Sequence, residues 1–257
     1  MIAGFPLIEY GWQFFAFGIP AIIFAGISKG GFGSGAAFVS GAILALVVPP
    51  GAALGIVLPL LMLIDAATLR PYWKQWDTPS AKGMIIGAVP GVALAALVYS
   101  LVNADVFRVL IGVMCLLFVA FQMSKRMGLL KVRRLPFKRR YAWTAGLVAG
   151  FTSFVSHAGG PPSAIFMLSQ GLNKLTYQAT SVITFWAINW LKFVPYFFLG
   201  IFTLDTFKGA VLLAPFALIG AWLGVKAHKI VPERAFFGLT YVVLAITGVR
   251  LIWIALT

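Results

Sequence analysis

The sequence predicts an all-α polytopic membrane protein made of two inverted-topology repeats, with roughly 8–10 membrane helices that include short broken or re-entrant helices. Three observations lead to this prediction. Hydrophobic residues fill 61% of the 257 positions and charged residues only 10%, and the mean hydropathy is +0.98. Basic residues gather at the centre of the chain, and the pattern of the first half recurs in the second.

The apolar segments follow one another in the same order in both halves. Each is continuously apolar and longer than the ~10 alternating residues of a transmembrane strand, which favours helices over a barrel. In the first half they cover about 12–28, 34–48, 52–69, 83–102 and 107–123. In the second half they cover about 142–155, 161–172, 177–199, 209–227 and 238–256.

A basic stretch joins the two halves. Residues 125–141 carry Lys and Arg repeatedly between two apolar regions, and the positive-inside rule predicts that such a loop is cytoplasmic. We therefore divide the chain into repeat 1 (1–124), a basic cytoplasmic linker (125–141) and repeat 2 (142–257). The excess of 20 basic over 6 acidic residues then reports topology in a multi-pass membrane protein, and we expect no nucleic-acid partner.

The repeats are matched by residues at an offset of roughly 124 to 129 positions. Gly26 corresponds to Gly150, Asp65 to Asn189 and Pro71 to Pro195. Basic residues favour the loop before 83–102 in repeat 1, but the loop after 209–227 in repeat 2. A bias displaced by one loop is what inverted repeats produce, and parallel repeats are the alternative.

Two polar tips interrupt the apolar pattern, one in each half. Residues 29–35 read KGGFGSG and residues 157–162 read HAGGPP. Glycine lets backbone approach a ligand closely, and a helix that restarts after a break directs its N-terminal N–H groups at an anion. Helix packing is the alternative use of these glycines. The predicted substrate-binding residues are Lys29, Gly30, Gly31, Gly33, Ser34, Gly35, Ser156, His157, Gly159, Gly160, Pro161, Thr184, Asn189 and Lys192.

Lys29 and Asp65 are charged residues inside apolar segments. A lysine at the bilayer centre costs roughly 2.5–3.5 kcal/mol, so Lys29 either faces protein and substrate or lies at the interface and snorkels. Asp65 is a candidate proton-coupling site, or it pairs with Lys29 or Arg70.

His157, Asn189, Lys192 and Thr184 add polar groups in the second half. Imidazole titrates near neutral pH, so His157 is a candidate anion ligand and proton carrier, with a structural histidine as the alternative. Asn189 is a candidate substrate ligand, or it forms an interhelical hydrogen bond. Lys192 either adds positive charge to a cavity wall or anchors the helix at the membrane interface. Thr184 either donates its hydroxyl to an anion or forms a hydrogen bond between packed helices.

The chain resembles the TauE/SafE sulfite and organosulfonate exporters, also grouped as toluene-sulfonate uptake permeases. The resemblance rests on GISKGGFGSGAAF (26–38), GFTSFVSHAGGPPSAIFML (150–168), the start of the segment at 177–181 and the duplicated layout. It implies an inner-membrane carrier for sulfite, sulfonates or related anions, in many members directed outward. The positions that match the family's motifs are Gly30, Gly31, Gly33 and Gly35, and Gly159, Gly160 and Pro161.

We therefore expect a secondary transporter, an exporter of small sulfur-containing anions with alternating access and proton coupling as a hypothesis. An anion channel and a carrier for small carboxylates are the alternatives. We expect no enzyme, because no His-Glu-x-x-His motif or paired aspartates accompany Ser156 and His157, and the single cysteine lies mid-segment. No cofactor or metal is expected. The expected partners are the anion and the lipid bilayer, with a homodimer left open.

Overall fold

The computed structural model describes residues 8, 10–32, 37–129, 134–227 and 233–257. Within these ranges the ordered elements are helical, as the apolar segments predict. They are α1 (Trp12–Ile27) with a π-helical turn (Ser28–Phe32), α2 (Val39–Leu44), α3 (Pro50–Leu69) with a 3-10 turn (Arg70–Tyr72), α4 (Thr78–Leu101), α5 (Ala104–Arg126), α6 (Arg139–Ser156), α7 (Gly160–Ser169), α8 (Lys174–Phe198), α9 (Leu204–Ala227) and α10 (Glu233–Leu256).

Local chemistry sets where several helices begin. The Asp77 carboxylate accepts a hydrogen bond from the Ser80 N–H at 3.0 Å, and this cap starts α4 before its apolar run begins. The Asn173 side chain caps α8 in the same way. Proline occupies the first turn of α3, α4 and α7, where its missing N–H costs no helical hydrogen bond.

The segment predicted at 34–48 contains less helix than expected. Among its described residues, α2 ends at Leu44 and turns follow to Val48. The next residues are Pro49 and Pro50, and a proline disfavours the α conformation of the residue before it. The interruption therefore forms a short half-helix, in agreement with the predicted broken element.

Within the described ranges, five helices are long and apolar enough to cross a membrane: Trp12–Gly31, Pro50–Tyr72, Thr78–Leu101, Ala104–Ser124 and Leu204–Lys226. The chain is thus a multi-pass helical membrane protein. α8 has membrane-spanning length but falls outside this set, and it carries Gln178, Asn189 and Lys192, all buried. Polar residues inside a membrane helix normally face protein or a functional cavity.

Helices of one half pack on helices of the other. α1 packs against α9, and α6 packs against α4, while α5 packs against α10. A Cβ added to Gly91 would lie 2.1 Å from the Leu147 carbonyl oxygen, and one added to Gly220 would lie 2.5 Å from that of Ile23. Gly91 and Gly220 are matched positions of the two repeats, as are Ile23 and Leu147. The same close contact is therefore made twice with the halves exchanged.

α3 and α8 lie side by side at the centre and run antiparallel. Near the start of α3, a Cβ on Gly55 would lie 2.1 Å from the carbonyl oxygen of Ile201, just beyond the end of α8. Past the other end of α3, Tyr72 packs with Val182 near the start of α8. Inverted repeats require equivalent helices to run in opposite directions. This packing supports the inversion, which stays a prediction.

Candidate functional site

The π-helical turn Ser28–Phe32 ends α1 and contains Lys29. Turns of this kind widen a helix and leave backbone groups without their usual partners, often at functional sites. Two distant side chains satisfy the carbonyls here. Gln178 Nε2 donates to the Lys29 carbonyl at 2.7 Å, and the Tyr72 hydroxyl donates to that of Gly30 at 3.0 Å.

Lys29 forms a buried ion pair with Asp65. Lys29 Nζ lies 2.6 Å from Asp65 Oδ1, with side chains 3% and 0% exposed. Asn189 Nδ2 donates to the other carboxylate oxygen, Oδ2, at 2.7 Å. The Phe185 ring lies beneath the ammonium, 5.8 Å from Nζ. The alternatives that Lys29 snorkels to the interface and that Asp65 pairs with Arg70 are therefore wrong.

His157 ends α6 in a left-handed conformation with φ of 58°. Its N–H bonds to the Ser153 carbonyl and that of Ala158 to the Thr152 carbonyl, which completes the helix cap. Glycine or asparagine usually occupies such a cap, because a side chain in this conformation is strained. The strained residue, His157, has a buried ring that contacts Lys192.

Lys192 contacts His157 from α8. Lys192 Nζ is 2.9 Å from His157 Nδ1 and donates to the Ser153 carbonyl at 3.2 Å, and its side chain is fully buried. When Lys192 is an ammonium it can only donate, so Nδ1 then accepts and a neutral imidazole carries its proton on Nε2. One turn further along α8, the Tyr196 hydroxyl donates to the Phe154 carbonyl at 2.6 Å.

Among the predicted site residues, two donor groups have no hydrogen-bond partner within the described part of the chain. They are His157 Nε2 and Thr184 Oγ1, and both are buried. The Leu54 backbone lies near the His157 ring, without hydrogen-bond geometry. Buried polar groups in native proteins usually have partners, so these two atoms identify positions where a ligand or water would be stabilised.

The glycines of the two tips are occupied by protein packing in this conformation. A Cβ on Gly30 would lie 2.7 Å from the Ala221 carbonyl oxygen, and one on Gly31 2.4 Å from that of Gly224, both on α9. A Cβ on Gly159 would lie 2.8 Å from the Phe185 ring. The small size of Gly30, Gly31 and Gly159 therefore admits other parts of the protein, and that these glycines also bring backbone close to an anion stays a prediction.

The remaining predicted residues fall into three groups. Gly160 begins α7 and Pro161 lies in its first turn, as predicted. The Ser156 hydroxyl is buried and directed at the Thr152 carbonyl of its own helix, at 3.4 Å. Gly33, Ser34 and Gly35 lie outside the described residues. The structure therefore brings together Lys29, Asp65, His157, Asn189 and Lys192, which we call the charged cluster.

Sequence reasoning missed Tyr72, Gln178 and Tyr196. Each of these side chains donates a hydrogen bond to a backbone carbonyl at an interrupted helix. A signal for the tyrosines was present. The dipeptide Pro-Tyr occurs at 71–72 and again at 195–196, with the offset that relates Asp65 to Asn189. Gln178 carries no comparable signal, because a single polar residue near a helix start is common.

The charged cluster offers cationic groups and hydrogen-bond donors, which are the groups that an anion site requires. It contains two lysines and one carboxylate, and no group of three or more His, Cys, Asp or Glu side chains suited to a metal ion occurs within the described ranges. A buried positive excess with unpartnered donors stabilises a small anion by charge-assisted hydrogen bonds.

Comparison with known proteins identifies the chain's relatives. The family model described as sulfite exporter TauE/SafE matches residues 18–251, which is nearly the whole chain and includes every residue of the charged cluster. No match was found among curated proteins or among solved structures. Members of this family are membrane transporters of sulfite and related sulfur anions and not enzymes. From residue 18 to residue 251, the chain belongs to the sulfite exporter TauE/SafE family.

Proposed function

We propose that this chain is a secondary transporter that exports a small sulfur-containing anion, such as sulfite or an organosulfonate, and binds it at the charged cluster near the middle of the membrane. Family membership supports the class of substrate. The particular anion, the direction of transport and the mechanism are our proposals.

One observation carries the proposal: the charged cluster holds more positive than negative charge in a buried position. Asp65 already pairs with Lys29 at 2.6 Å, and within the described part of the chain Lys192 hydrogen-bonds only to a carbonyl and an imidazole nitrogen. A buried charge without a counter-ion is strongly unfavourable. An anion beside Lys192 supplies that counter-ion.

The cluster lies at the crossing of α3 and α8. Asp65 and Asn189 touch there, and the two antiparallel helices extend from this point in opposite directions. Asp65 and Asn189 each lie 15 residues after the start of their helix, and both helices have membrane-spanning length, which supports a site inside the membrane. Secondary transporters with inverted repeats bind substrate at this depth, next to interrupted helices.

Alternating access fits the buried state of the cluster. Lys29, Asp65, His157 and Lys192 are each at most 4% exposed, so in this conformation the cluster is closed to solvent. Movement of one half against the other would open it to each side in turn. A channel requires a continuous path instead, so single-channel currents through reconstituted protein would contradict the carrier.

Transport and binding in one preparation test the proposal. Purified protein in proteoliposomes is screened for anion exchange, and its unfolding temperature is measured with sulfite, sulfate, thiosulfate, taurine and small carboxylates. Binding of a sulfur anion raises the unfolding temperature by an amount that grows with the logarithm of the anion concentration once that concentration exceeds the Kd. Carboxylates that bind and exchange while every sulfur anion does neither would refute the substrate class.

Lys192→Gln is the variant that addresses the site. It removes the charge while keeping a donor, so we expect the anion-induced rise in unfolding temperature to disappear. Lys208→Gln is the matched control, because Lys208 is 68% exposed and pairs with Asp205 on the surface. Equal loss in both variants would contradict binding at the cluster.

Proton coupling is proposed from Asp65 and His157, the titratable side chains that face the two lysines. Transport of a sulfonate, whose own charge is constant near neutral pH, separates coupling from titration of the substrate. We expect an imposed pH gradient to drive its accumulation. Accumulation that is indifferent to the gradient would rule out coupling.

The membrane orientation is proposed from the basic bias: a bacterial inner-membrane protein with the linker 125–141 in the cytoplasm. The described part of the linker agrees with a solvated loop, because residues 134–140 are exposed. A protease site inserted in the linker should be cut from the cytoplasmic side, and cutting from the periplasmic side would reverse the topology.

A further inference from the structure

Two tyrosines hold the ends of the two interrupted helices. The Tyr72 hydroxyl donates to the Gly30 carbonyl at 3.0 Å, and the Tyr196 hydroxyl donates to the Phe154 carbonyl at 2.6 Å. Tyr72 and Tyr196 are separated by the same 124 positions as Gly30 and Phe154. One hydrogen bond is therefore present twice, once in each half.

The two bonds lie on opposite sides of the charged cluster. Tyr72 is seven residues beyond Asp65, and Tyr196 is seven residues beyond Asn189. At ~1.5 Å per residue, each tyrosine is about 10 Å from the crossing of α3 and α8. Because these helices are antiparallel, the tyrosines lie in opposite directions, with about 20 Å between them.

Each bond links a continuous element to a helix break. Tyr72, in the turn after α3, holds the π-helical turn after α1, and Tyr196, on α8, holds the last turn of α6. A carbonyl released by a helix break has no water to accept from inside a membrane, so its partner is difficult to replace. Movement of either break away from its neighbour ruptures the tyrosine hydrogen bond. The carbonyl then needs water as its new donor, and water reaches it only when that side opens.

We infer that Tyr72 and Tyr196 are the latches of two gates, one closing the cluster toward the α3–α4 loop and the other toward the α8–α9 loop. The inference rests on the proposed alternating-access transport. Only one gate opens at a time in such a carrier. Loss of one latch therefore shifts the population toward the state open on that side, and loss of the other shifts it in the opposite direction.

Accessibility of a single thiol measures these shifts. Cys115→Ser removes the native cysteine, and the reporters are Thr68→Cys and Ser153→Cys. Thr68 is buried on α3 between Asp65 and Tyr72, and Ser153 is buried next to Phe154 on α6. A membrane-impermeant thiol reagent is applied to vesicles from each face in turn, with no anion present.

The expected changes have opposite signs. Tyr72→Phe should accelerate labelling of Thr68→Cys from the face of the α3–α4 loop, and Tyr196→Phe that of Ser153→Cys from the opposite face. Each effect should be roughly 2- to 10-fold, which corresponds to one hydrogen bond. The phenylalanine keeps the ring packing, so the variants isolate the hydroxyl.

Tyr99→Phe is the matched control. The Tyr99 ring packs on Phe107 and Phe154, and its hydroxyl has no hydrogen bond with the described part of the chain. Latch variants that label like Tyr99→Phe, or that both accelerate labelling from one face, would overturn the inference. A purely structural role would lower the unfolding temperature without any preference between the faces.

The experiment separates this inference from the proposed function. Opposite shifts in labelling, with no sulfur anion affecting stability or exchange, would support the gates and refute the substrate. Sulfite exchange with unshifted labelling would support the carrier and refute the latches.

Discussion

Separating the Lys29–Asp65 ion pair should destabilise the protein more than any exposed charge change. The two charged atoms are 2.6 Å apart, and the side chains are 3% and 0% exposed. Removing one member of a buried pair leaves the other charge without its counter-ion, at a cost of about 3–5 kcal/mol. We expect this loss in the free energy of unfolding for Lys29→Met and for Asp65→Leu.

The double variant should recover much of the loss, because Met and Leu leave no buried charge behind at this position. The effects of neighbouring residues in one network are not additive, and the coupling here should reach at least about 2 kcal/mol. Asn189 Nδ2 still holds Asp65 at 2.7 Å in Lys29→Met. Asn189→Leu alone should therefore cost less, about 1.5–3 kcal/mol, which is typical for a hydrogen bond to a charged group.

The assay is reversible unfolding in mixed micelles at increasing denaturing detergent, followed by the fluorescence of the 8 tryptophans. Lys208→Met, at an exposed pair, controls for loss of a lysine and should change little. Single variants as stable as the control, or a double variant whose loss equals the sum of the single losses, would refute the buried pair.

Three further predictions concern other parts of the fold. Gly91→Ala should destabilise by roughly 1–3 kcal/mol, because the added Cβ would lie 2.1 Å from the Leu147 carbonyl oxygen, whereas Gly11→Ala meets nothing within 4 Å; equal thermal shifts would contradict the close α4–α6 contact. Asn173→Ala should lower the free energy of unfolding by about 1 kcal/mol, because the α8 cap is lost. Asn173→Ser should retain most of the wild-type stability in the same thermal assay, because serine also caps helices. Cys115, buried on α5, should resist a polar maleimide until the protein unfolds, and rapid labelling of native protein followed by mass spectrometry would contradict its burial.

The positions of the helix breaks can be predicted from the sequence better than the contacts that these breaks make. Gly159 to Pro162 combines flexible and helix-starting residues, so the start of α7 was predictable. Hydropathy predicts a span that begins at about 83, after the true start of α4 at Thr78, because it does not register the polar cap Asp77. Segment ends depend on capping side chains, whereas the existence of a span depends on many apolar residues together.

Contacts between distant residues could be predicted only where charge restricts the choice. Asp65 needs a cation inside the membrane, and this requirement leaves Lys29 and Arg70 as its two candidate partners. His157 and Lys192 gave no such restriction, since two groups that can each be positive are not expected to pair. The role of Gly30 and Gly31 depends on α9, almost 200 positions away, and no local pattern encodes that neighbour.

The contact between Asp65 and Asn189 has a consequence for the history of the chain. These positions occupy the same place in the two halves, and they touch. If one ancestral half formed a pair with its own copy, an aspartate at this position would have met an identical aspartate, and two adjacent carboxylates cannot both ionise without strong repulsion. Replacement of one by an amide converts that repulsion into a hydrogen bond. On that history, fusion of the two halves allowed the two positions to differ, and the amide leaves one carboxylate in the charged cluster.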